Sequence, residues 1–294
     1  MKTIDDMVSI NTHQAKFYDD IYNAEAEKGH GGYAENLSAN IITRVWAKLR
    51  YRQAAAVKEA GVEEEVKKAH ERWSGLKAGA DFLEVGCFSG SRFTFNLAEL
   101  AGHYVGVELS TKAVDALNEK FVARGLGHKA KAEAVDFLKL DVARKFDLIY
   151  AHGVLHHFEN PIVLFDKLAG LAKPKAVLIF CEPSAVNALY LGIRATYRPF
   201  QSDAAWEWPF TRRTITALER HFELLEGFGW GRRSLPLSFL TGLPMVGNFV
   251  RPHYFRTVKA EVEKGWHPGI WSNSYVTALY QLRDSAERKP NKTE

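Results

Sequence analysis

Apolar and polar positions change their spacing along this 294-residue chain, and the change divides it into two parts. Over residues 12–75 apolar side chains recur near a helical period, which predicts a helical N-terminal region covering residues 1–75. From residue 81 onward short apolar runs alternate with helical stretches, which is typical of parallel strands joined by helices. The predicted strands are residues 81–86, 104–108, 130–135, 146–151, 176–182, 223–228 and 275–282, and the helices predicted among them are 91–101, 110–124, 159–171 and 211–222.

This order of elements predicts an α/β fold of the Rossmann-like, doubly wound type, with a seven-stranded and mostly parallel sheet in residues 76–294. Two segments, 184–210 and 231–273, interrupt the alternation because they are irregular and rich in aromatic residues. In such folds ligands bind outside the carboxyl ends of the strands. We therefore expect both segments to form a cap over that edge of the sheet.

The composition is that of an ordinary globular protein, with 46% hydrophobic and 25% charged residues. A net charge of +4, with acids and bases interspersed, offers no extended track for nucleic acid. The two cysteines, Cys87 and Cys181, match neither a disulfide framework nor a metal-ligand spacing, so we expect a cytoplasmic protein without a bound metal. No segment is long and apolar enough to span a membrane, but the run 235–250 leaves peripheral membrane contact open.

Residues 81–90, with the sequence Asp-Phe-Leu-Glu-Val-Gly-Cys-Phe-Ser-Gly, predict a buried strand that ends in a glycine turn. At Gly86 the backbone is free to adopt torsions that a Cβ atom would forbid. The helix predicted after the turn would direct unpaired N–H groups and the positive end of its dipole into the turn. Strand, turn and helix together predict a pocket for a nucleotide-type ligand.

Acidic side chains follow the next two predicted strands. Glu108 stands just beyond the second strand, about twenty residues after the glycine turn, where a carboxylate can accept both hydroxyls of a ribose. Asp136 and Phe137 follow the third strand, and they offer an acceptor for an exocyclic amine beside a ring that can lie against a purine. A surface acid at position 108, and a capping Asp beside a core Phe at 136–137, are the alternatives.

Three histidines follow the fourth predicted strand, within the sequence Ala151-His152-Gly153-Val154-Leu155-His156-His157. Imidazoles at the mouth of the pocket could orient a nucleophile or remove its proton near neutral pH. His156 is the first candidate for such a catalytic group, and His152 is the second. Metal binding is the competing interpretation, but no Asp, Glu or Cys lies at helical spacing to complete a metal site.

In combination these strand ends resemble the class I S-adenosylmethionine-dependent methyltransferases, and in particular the small-molecule branch that includes quinone-biosynthesis methyltransferases. The resemblance covers roughly residues 75–183 and rests on four strand ends that match in order. It implies S-adenosyl-L-methionine as the cofactor and a lid over it formed by residues 17–22. The cofactor-binding residues that it implies are Tyr22, Glu84, Gly86, Cys87, Gly90, Glu108, Leu109, Asp136, Phe137 and Ala151.

One position departs from the family pattern, because Phe88 stands where the cofactor loop usually has glycine. A non-catalytic binding protein that retains the fold, with Phe88 blocking the cofactor, is therefore the first alternative function. An NAD-dependent oxidoreductase is a weaker alternative, since its Gly-x-Gly-x-x-Gly motif would require glycine at Phe88 and Ser91.

The resemblance implies in-line transfer of a methyl group to a small-molecule acceptor. The aromatic residues of the two cap segments suit an apolar or ring-containing acceptor, and we expect methylation of oxygen rather than nitrogen or carbon. Arginines at 194, 198, 212 and 213 could pair with an anionic group of that acceptor.

Overall fold

The computed structural model describes residues 4–28, 41–141, 143–198, 204–267 and 269–284. Parts of the predicted N-terminal region and of the 184–210 segment lie outside these ranges. The strands are β1 (Asp81–Val85), β2 (His103–Glu108), β3 (Ala130–Ala134), β4 (Phe146–His152), β5 (Ala172–Pro183), β6 (Phe222–Trp230) and β7 (Tyr275–Leu282). The helices are α1 (Ile4–Lys28), α2 (Ile41–Glu59), α3 (Val62–Gly75), α4 (Arg92–Leu100), α5 (Thr111–Ala123), α6 (Pro161–Leu171), α7 (Ala188–Tyr197), α8 (Arg212–His221), α9 (Ser234–Thr241) and α10 (Val246–Glu263).

The seven strands form one sheet in the order β3-β2-β1-β4-β5-β7-β6. The first five pair in parallel, whereas β7 is antiparallel to both β5 and β6. Because the order reverses between β1 and β4, the carboxyl ends of β1, β2 and β4 surround the switch point of the sheet. The prediction of a doubly wound, mostly parallel seven-stranded sheet with a helical N-terminal region is confirmed.

The helices after the strands begin at polar caps. Ser91 and Thr211 each form a capping box with a threonine three residues later, which satisfies unpaired N–H groups at the starts of α4 and α8. Ser110 caps α5, and Asn160 caps α6 immediately before Pro161. These caps fix where each loop at the carboxyl edge ends.

Two hydrophobic clusters cover the two faces of the sheet. One contains α6, α8 and the β5–β7 strands, and the other packs α3, α4 and α5 against β1, β2 and β4. Trp73 of α3 is fully buried in the second cluster. Consequently α3, although it precedes the sheet in sequence, forms part of the main domain's core.

The segment 231–273 is more regular than its prolines and glycines indicated, and that expectation was wrong. It contains α9 and the 18-residue α10, which has Pro252 in its interior. An interior proline costs a helix about 3 kcal/mol. The buried side chains of Tyr254 and Val258 pack in a third cluster, and this tertiary packing overrides the local sequence signal. None of the helices in the described ranges is both long enough and apolar enough to cross a membrane.

Candidate active site

A cavity of about 250 Å³ lies at the carboxyl edge of the sheet, beyond the ends of β1, β2 and β4. We call it the first cavity. Six of the predicted site residues lie on its wall, namely Gly86, Glu108, Leu109, Asp136, Phe137 and His152. The topology thus brings together side chains from four separate strand ends.

The glycines of the β1–α4 loop occupy positions that no other residue fits. Gly86 has φ 76°, and a Cβ atom there would come within 2.7 Å of Val154 Cγ2. Gly90 has φ 84°, and its Cβ atom would lie 2.6 Å from Leu117 Cδ1. Both positions therefore combine a left-handed backbone with close packing, and each requires glycine.

Phe88 also has a left-handed backbone, with φ 43°. For a side chain of this size that torsion is strained. Its ring lies on the wall of the first cavity and makes edge contacts with Tyr18 and Tyr22 of α1, at centroid distances of 6.4 and 6.2 Å. Phe88 therefore packs beneath the N-terminal helix and leaves the cavity open.

The Glu108 carboxylate is held in place by backbone N–H groups. Oε1 accepts from Leu109 N and Ser110 N, at 2.7 and 3.2 Å, and Oε2 accepts from Phe88 N at 3.2 Å. Burial raises the pKa of Glu108, and the three backbone hydrogen bonds oppose that rise. Because a carboxylate offers about four acceptor positions and three are used here, about one position remains for a ligand hydroxyl.

Asp136 combines the capping role and the cavity position that the sequence left as alternatives. Its Oδ1 accepts from Leu138 N at 3.0 Å, and this caps a short 3₁₀ helix. Its Oδ2 accepts from Asn11 Nδ2 of α1 at 2.8 Å. Phe137 is buried beside it and meets Phe158 edge-to-face.

The helix α1 forms one side of the first cavity. Asn11, Gln14, Tyr18 and Ile21 lie on the wall. The helix is held by the Asn11–Asp136 hydrogen bond and by Ser110 Oγ, which donates to Asp19 Oδ1 at 2.5 Å. Tyr22, predicted as a cofactor ligand, contacts Phe88. Sequence reasoning singled out residues 17–22 and missed Gln14 and Asn11, which lie about one and two turns earlier on the helix.

A second cavity of about 500 Å³ adjoins the first, and the two share Gly86, Phe88 and His152 on their walls. Three residues predicted to bind the cofactor, Glu84, Cys87 and Gly90, lie on this second wall. Glu84 accepts from Tyr104 Oη at 2.7 Å and from Thr94 Oγ1 at 3.0 Å. Its burial raises its pKa to about 7. Ala151, also predicted to bind the cofactor, is fully buried in the core and lines neither cavity.

The exposed His152 ends a chain of hydrogen bonds that is buried from Tyr150 inward, and the direction of the chain is fixed at its far end. Thr277 Oγ1 donates its only proton to the Phe180 carbonyl at 2.9 Å, so it must accept from His70 Nε2 at 2.6 Å. Burial lowers the pKa of His70 to about 3, so this imidazole is neutral and its Nδ1 accepts from Tyr150 Oη at 3.1 Å.

Tyr150 Oη then accepts from His152 Nδ1 at 3.3 Å. Displacement of water by the surrounding protein lowers the pKa of His152, which favours the neutral ring. A neutral ring with its proton on Nδ1 has a free lone pair on Nε2. The chain therefore makes His152 a hydrogen-bond acceptor where the two cavities meet. His70 and Thr277 gave no signal in the sequence, because they lie 80 or more positions from their partners.

The other two histidines of the β4 loop have different surroundings. His156 is buried, with Nδ1 2.6 Å from Glu182 Oε2 and Nε2 3.9 Å from Glu207 Oε1, and it lines neither cavity. His157 lies on the first wall, donates from Nδ1 to the Trp206 carbonyl at 2.9 Å and lies 3.3 Å from Tyr18 Oη. Burial lowers the pKa of His157 to about 4. Of the two predicted catalytic histidines, the structure brings only His152 to the cavities.

A third cavity of about 350 Å³ shares Glu63 with the second. Its wall includes Tyr190, Trp230, Phe239 and Tyr275, and the rings of Trp230 and Tyr275 stack at 5.5 Å. It lies between α2, α9 and the end of β6, so part of the 231–273 segment does border it.

Arg194, predicted to meet an anionic acceptor, is buried against Glu207 at 2.5 Å. Within the described ranges, no three His, Cys, Asp or Glu side chains are arranged to hold a metal ion.

Comparison with known proteins agrees with this geometry. Residues 83–178 match the family model described as "Methyltransferase domain". This part of the chain is therefore similar to a methyltransferase domain. The matched region extends from β1 into β5 and includes the ends of β1, β2, β3 and β4, which form the first cavity.

Two curated relatives match over part of the domain. A ubiquinone biosynthesis O-methyltransferase from Nitrosospira multiformis is 26% identical over 103 residues, which is 35% of this chain and 43% of the relative. The nonribosomal peptide synthetase TES from Alternaria alternata is 31% identical over 122 residues, which is 40% of this chain and 2% of that protein. The chain thus spans less than half the length of either relative.

Among solved structures, the cyclopropane synthase MmaA2 from Mycobacterium tuberculosis has a TM-score of 0.51 and 12% identity, covering 75% of this chain and 85% of that one. At this identity the similarity shows the fold alone.

The cofactor that this family implies is S-adenosyl-L-methionine, and the residues present fit it. Glu108 retains acceptor capacity at the end of β2, and Asp136 and Phe137 offer a polar and an aromatic contact at the end of β3. Gly86 lies on the same wall as these groups and His152, and because it has no Cβ atom its backbone is accessible to a ligand. Phe88 adopts a strained left-handed torsion, so the loop keeps the shape that glycine usually gives it.

Proposed function

We propose that this protein transfers a methyl group from S-adenosyl-L-methionine to a hydroxyl oxygen of a small apolar or aromatic acceptor. The observation that carries this proposal is the acceptor nitrogen of His152 on the wall that the first and second cavities share. A hydroxyl needs to lose a proton to become a good nucleophile, whereas a neutral amine attacks without prior deprotonation. A histidine acceptor therefore favours an oxygen substrate.

In this proposal the first cavity holds the adenosine part of the cofactor. Glu108 accepts a hydrogen bond from a ribose hydroxyl, and Asp136 and Phe137 contact the adenine. When bound, the sulfonium supplies an electrophilic methyl group. The residues of α1 cover the cavity and exclude water, and Tyr18 contributes to that cover through its contacts with Phe88 and His157.

The acceptor occupies the second cavity and extends into the third. Its hydroxyl donates to His152 Nε2, and the hydrogen-bonded chain through Tyr150 and His70 keeps that nitrogen free of a proton. The aromatic wall of the third cavity suits a ring or an apolar tail. The match to a ubiquinone biosynthesis O-methyltransferase supports the same class of acceptor. Most of the rate enhancement then comes from holding the two reactants in line.

Turnover with methyl-labelled S-adenosylmethionine tests this function. We expect transfer to phenols, catechols or hydroquinones in preference to amines of similar size. His152→Gln should lower kcat by about a hundredfold or more. The matched control is His128→Gln, since His128 is exposed, lies on the wall of neither cavity and hydrogen-bonds to the Gly125 carbonyl.

Three outcomes would contradict the proposal. Cofactor binding without any transfer would favour a non-catalytic binding protein that retains the fold. Binding of NAD in place of S-adenosylmethionine would favour an oxidoreductase. Full turnover in His152→Gln would remove this histidine from the reaction and leave the acceptor atom undetermined.

We also propose that the protein works in the cytoplasm, where thiols remain reduced. Cys87 and Cys181 are both free and buried, and burial raises the pKa of each thiol. Two free, buried thiols support a reducing compartment.

A further inference from the structure

The turn between α9 and α10 exposes a cluster of large apolar side chains. Met245 is 86% exposed and Phe249 is 81% exposed, and Leu240, Leu243 and Val246 are each between 37% and 44% exposed. Single exposed apolar residues are common on soluble proteins, but five at one turn form a patch. We call these five residues the apolar tip.

The other end of the same hairpin is basic. A groove of about 660 Å³ is lined there by Arg232, Arg233, Arg256 and Lys264, together with two histidines. Within the described ranges none of these four cations forms an ion pair. The acid in the groove, Glu261, accepts hydrogen bonds from Ser234 Oγ and from the backbone N–H groups that begin α9.

The charges of the basic groove act on a histidine in its wall. The pKa of His267, on the groove wall, is lowered by burial and by the charges of Lys264 and Arg232. Lys264 and Arg232 thus lie close enough to act on the same group, and a groove lined by four cations favours an anionic partner.

The apolar tip and the basic groove share one face of α10. At 100° per residue, Val246, Phe249, His253, Arg256 and Lys264 fall within a stripe about 100° wide. The buried residues Gly247, Tyr254 and Val258 lie on a different side. The helix α9 shows the same order, because Leu237 lines the groove and Leu240, one turn later, belongs to the apolar tip.

We infer that this face of the α9–α10 hairpin docks onto an anionic lipid surface. The apolar tip would enter the boundary between headgroups and acyl chains, while the basic groove meets lipid phosphates. Phe249 and Arg256 are separated by about 10 Å along the helix axis, so both can reach an interface on which the helix lies. A soluble anion would use the groove but would leave the apolar tip exposed to water, and the lipid surface accounts for both.

Flotation of the whole protein with vesicles tests this inference without reference to enzymatic activity. Vesicles of phosphatidylcholine alone are compared with vesicles of equal parts phosphatidylcholine and phosphatidylglycerol. One double variant, Met245→Ser with Phe249→Ser, removes most of the apolar tip, and another, Arg256→Gln with Lys264→Gln, removes charge from the groove. The controls are Val122→Ser, at a residue 71% exposed on α5, and Lys259→Gln, at an exposed residue of α10 outside the stripe.

We expect the protein to float with the anionic vesicles and not with the neutral ones. The affinity of each double variant for anionic vesicles should be at least about tenfold lower. Added salt should reduce the binding of the unmodified protein. Both controls should bind normally. Circular dichroism melting confirms that each variant remains folded.

Absence of flotation with anionic vesicles would overturn the inference, and so would equal flotation with neutral vesicles. Retention of full binding by both double variants would show that another surface makes the contact. If inorganic phosphate at matched ionic strength abolished vesicle binding completely, the groove would be a site for a soluble anion instead.

Discussion

At the scale of single residues, the candidate site is composed of groups whose protonation is set by their neighbours. The Phe180 carbonyl fixes Thr277, Thr277 fixes His70, and His70 in turn orients Tyr150. Each step has one donor and one acceptor, so the direction of the whole chain follows from the first carbonyl. His152 is the last member of the chain, and the chain defines its tautomer without a charged partner.

The tautomer of His152 gives a prediction that can be measured without a substrate. In ¹⁵N NMR spectra of the unmodified protein at neutral pH, we expect the His152 ring to carry its proton on Nδ1. Its pKa should lie below the ordinary value, so the neutral ring should persist as the pH falls through 6.5. Tyr150→Phe removes the acceptor for that proton and should shift the population toward Nε2–H.

His152→Gln assigns the resonance, and His128→Gln serves as the control. An Nε2-protonated ring in the unmodified protein would contradict the direction of the chain. An unchanged His152 spectrum in Tyr150→Phe would contradict its dependence on Tyr150.

The sequence singled out residues that lie on the wall of the first cavity where one local pattern contained the reason for a residue. Gly86 and Glu108 each follow an apolar run, so strand, turn and acid could be identified together. The role of His152 depends on Tyr150, two positions away, but also on His70 and on Thr277, which is 207 positions from His70. Such partners are defined only by the sheet order and by the packing of α3, and the sequence pattern contains neither.

At the scale of elements, the β1–α4 loop shows how a departure from a family pattern is accommodated. Phe88 adopts the left-handed backbone that glycine would adopt easily, and its ring contributes to the packing of α1 through Tyr18 and Tyr22. The loop thus keeps its shape at a cost in backbone strain, offset by aromatic contacts.

The strain at position 88 can be separated from the aromatic contacts by comparing two variants. Phe88→Gly and Phe88→Ala both lose the ring, but only Gly relieves the left-handed torsion. We expect the Gly variant to be more stable than the Ala variant by about 1 kcal/mol in urea unfolding, the reverse of the usual order of these residues. A more stable Ala variant would show that position 88 is not left-handed in solution.

The elements that the sequence predicted well are those in which local preference and tertiary environment agree. All seven predicted strands are present, and Ser91, Ser110 and Thr211 mark helix starts near the predicted boundaries. The helix α10 was missed because Pro252 argues locally against a helix, whereas the packing of Tyr254 and Val258 stabilises one. Packing between segments distant in the chain is the information that a local pattern lacks.

At the scale of the whole molecule, the sheet order brings distant strand ends together and the added helices enclose them. The switch between β1 and β4 positions the first cavity, and α1 forms one of its sides. The helix α3 lines the second cavity with Glu63, Glu64 and Lys67. The cap helices α7 and α9 contribute to the third cavity. The three cavities therefore form a series, each sharing at least one wall residue with the next.

The central claim is that the first cavity binds the adenosine part of the cofactor through Glu108. Isothermal titration calorimetry with S-adenosyl-L-homocysteine tests it most directly, because this demethylated product of the cofactor keeps the ribose and adenine but has no methyl group to transfer. The variant is Glu108→Gln, and the control is Glu133→Gln, whose carboxylate lies on β3 outside the first cavity and pairs with Lys131.

We predict that the unmodified protein and the control bind one equivalent with equal affinity. Glu108→Gln should bind roughly tenfold to a hundredfold more weakly, since it loses a charge-assisted hydrogen bond to the ribose. An unmodified protein that does not bind S-adenosyl-L-homocysteine, or a Glu108→Gln variant that binds it with unchanged affinity, would contradict the account.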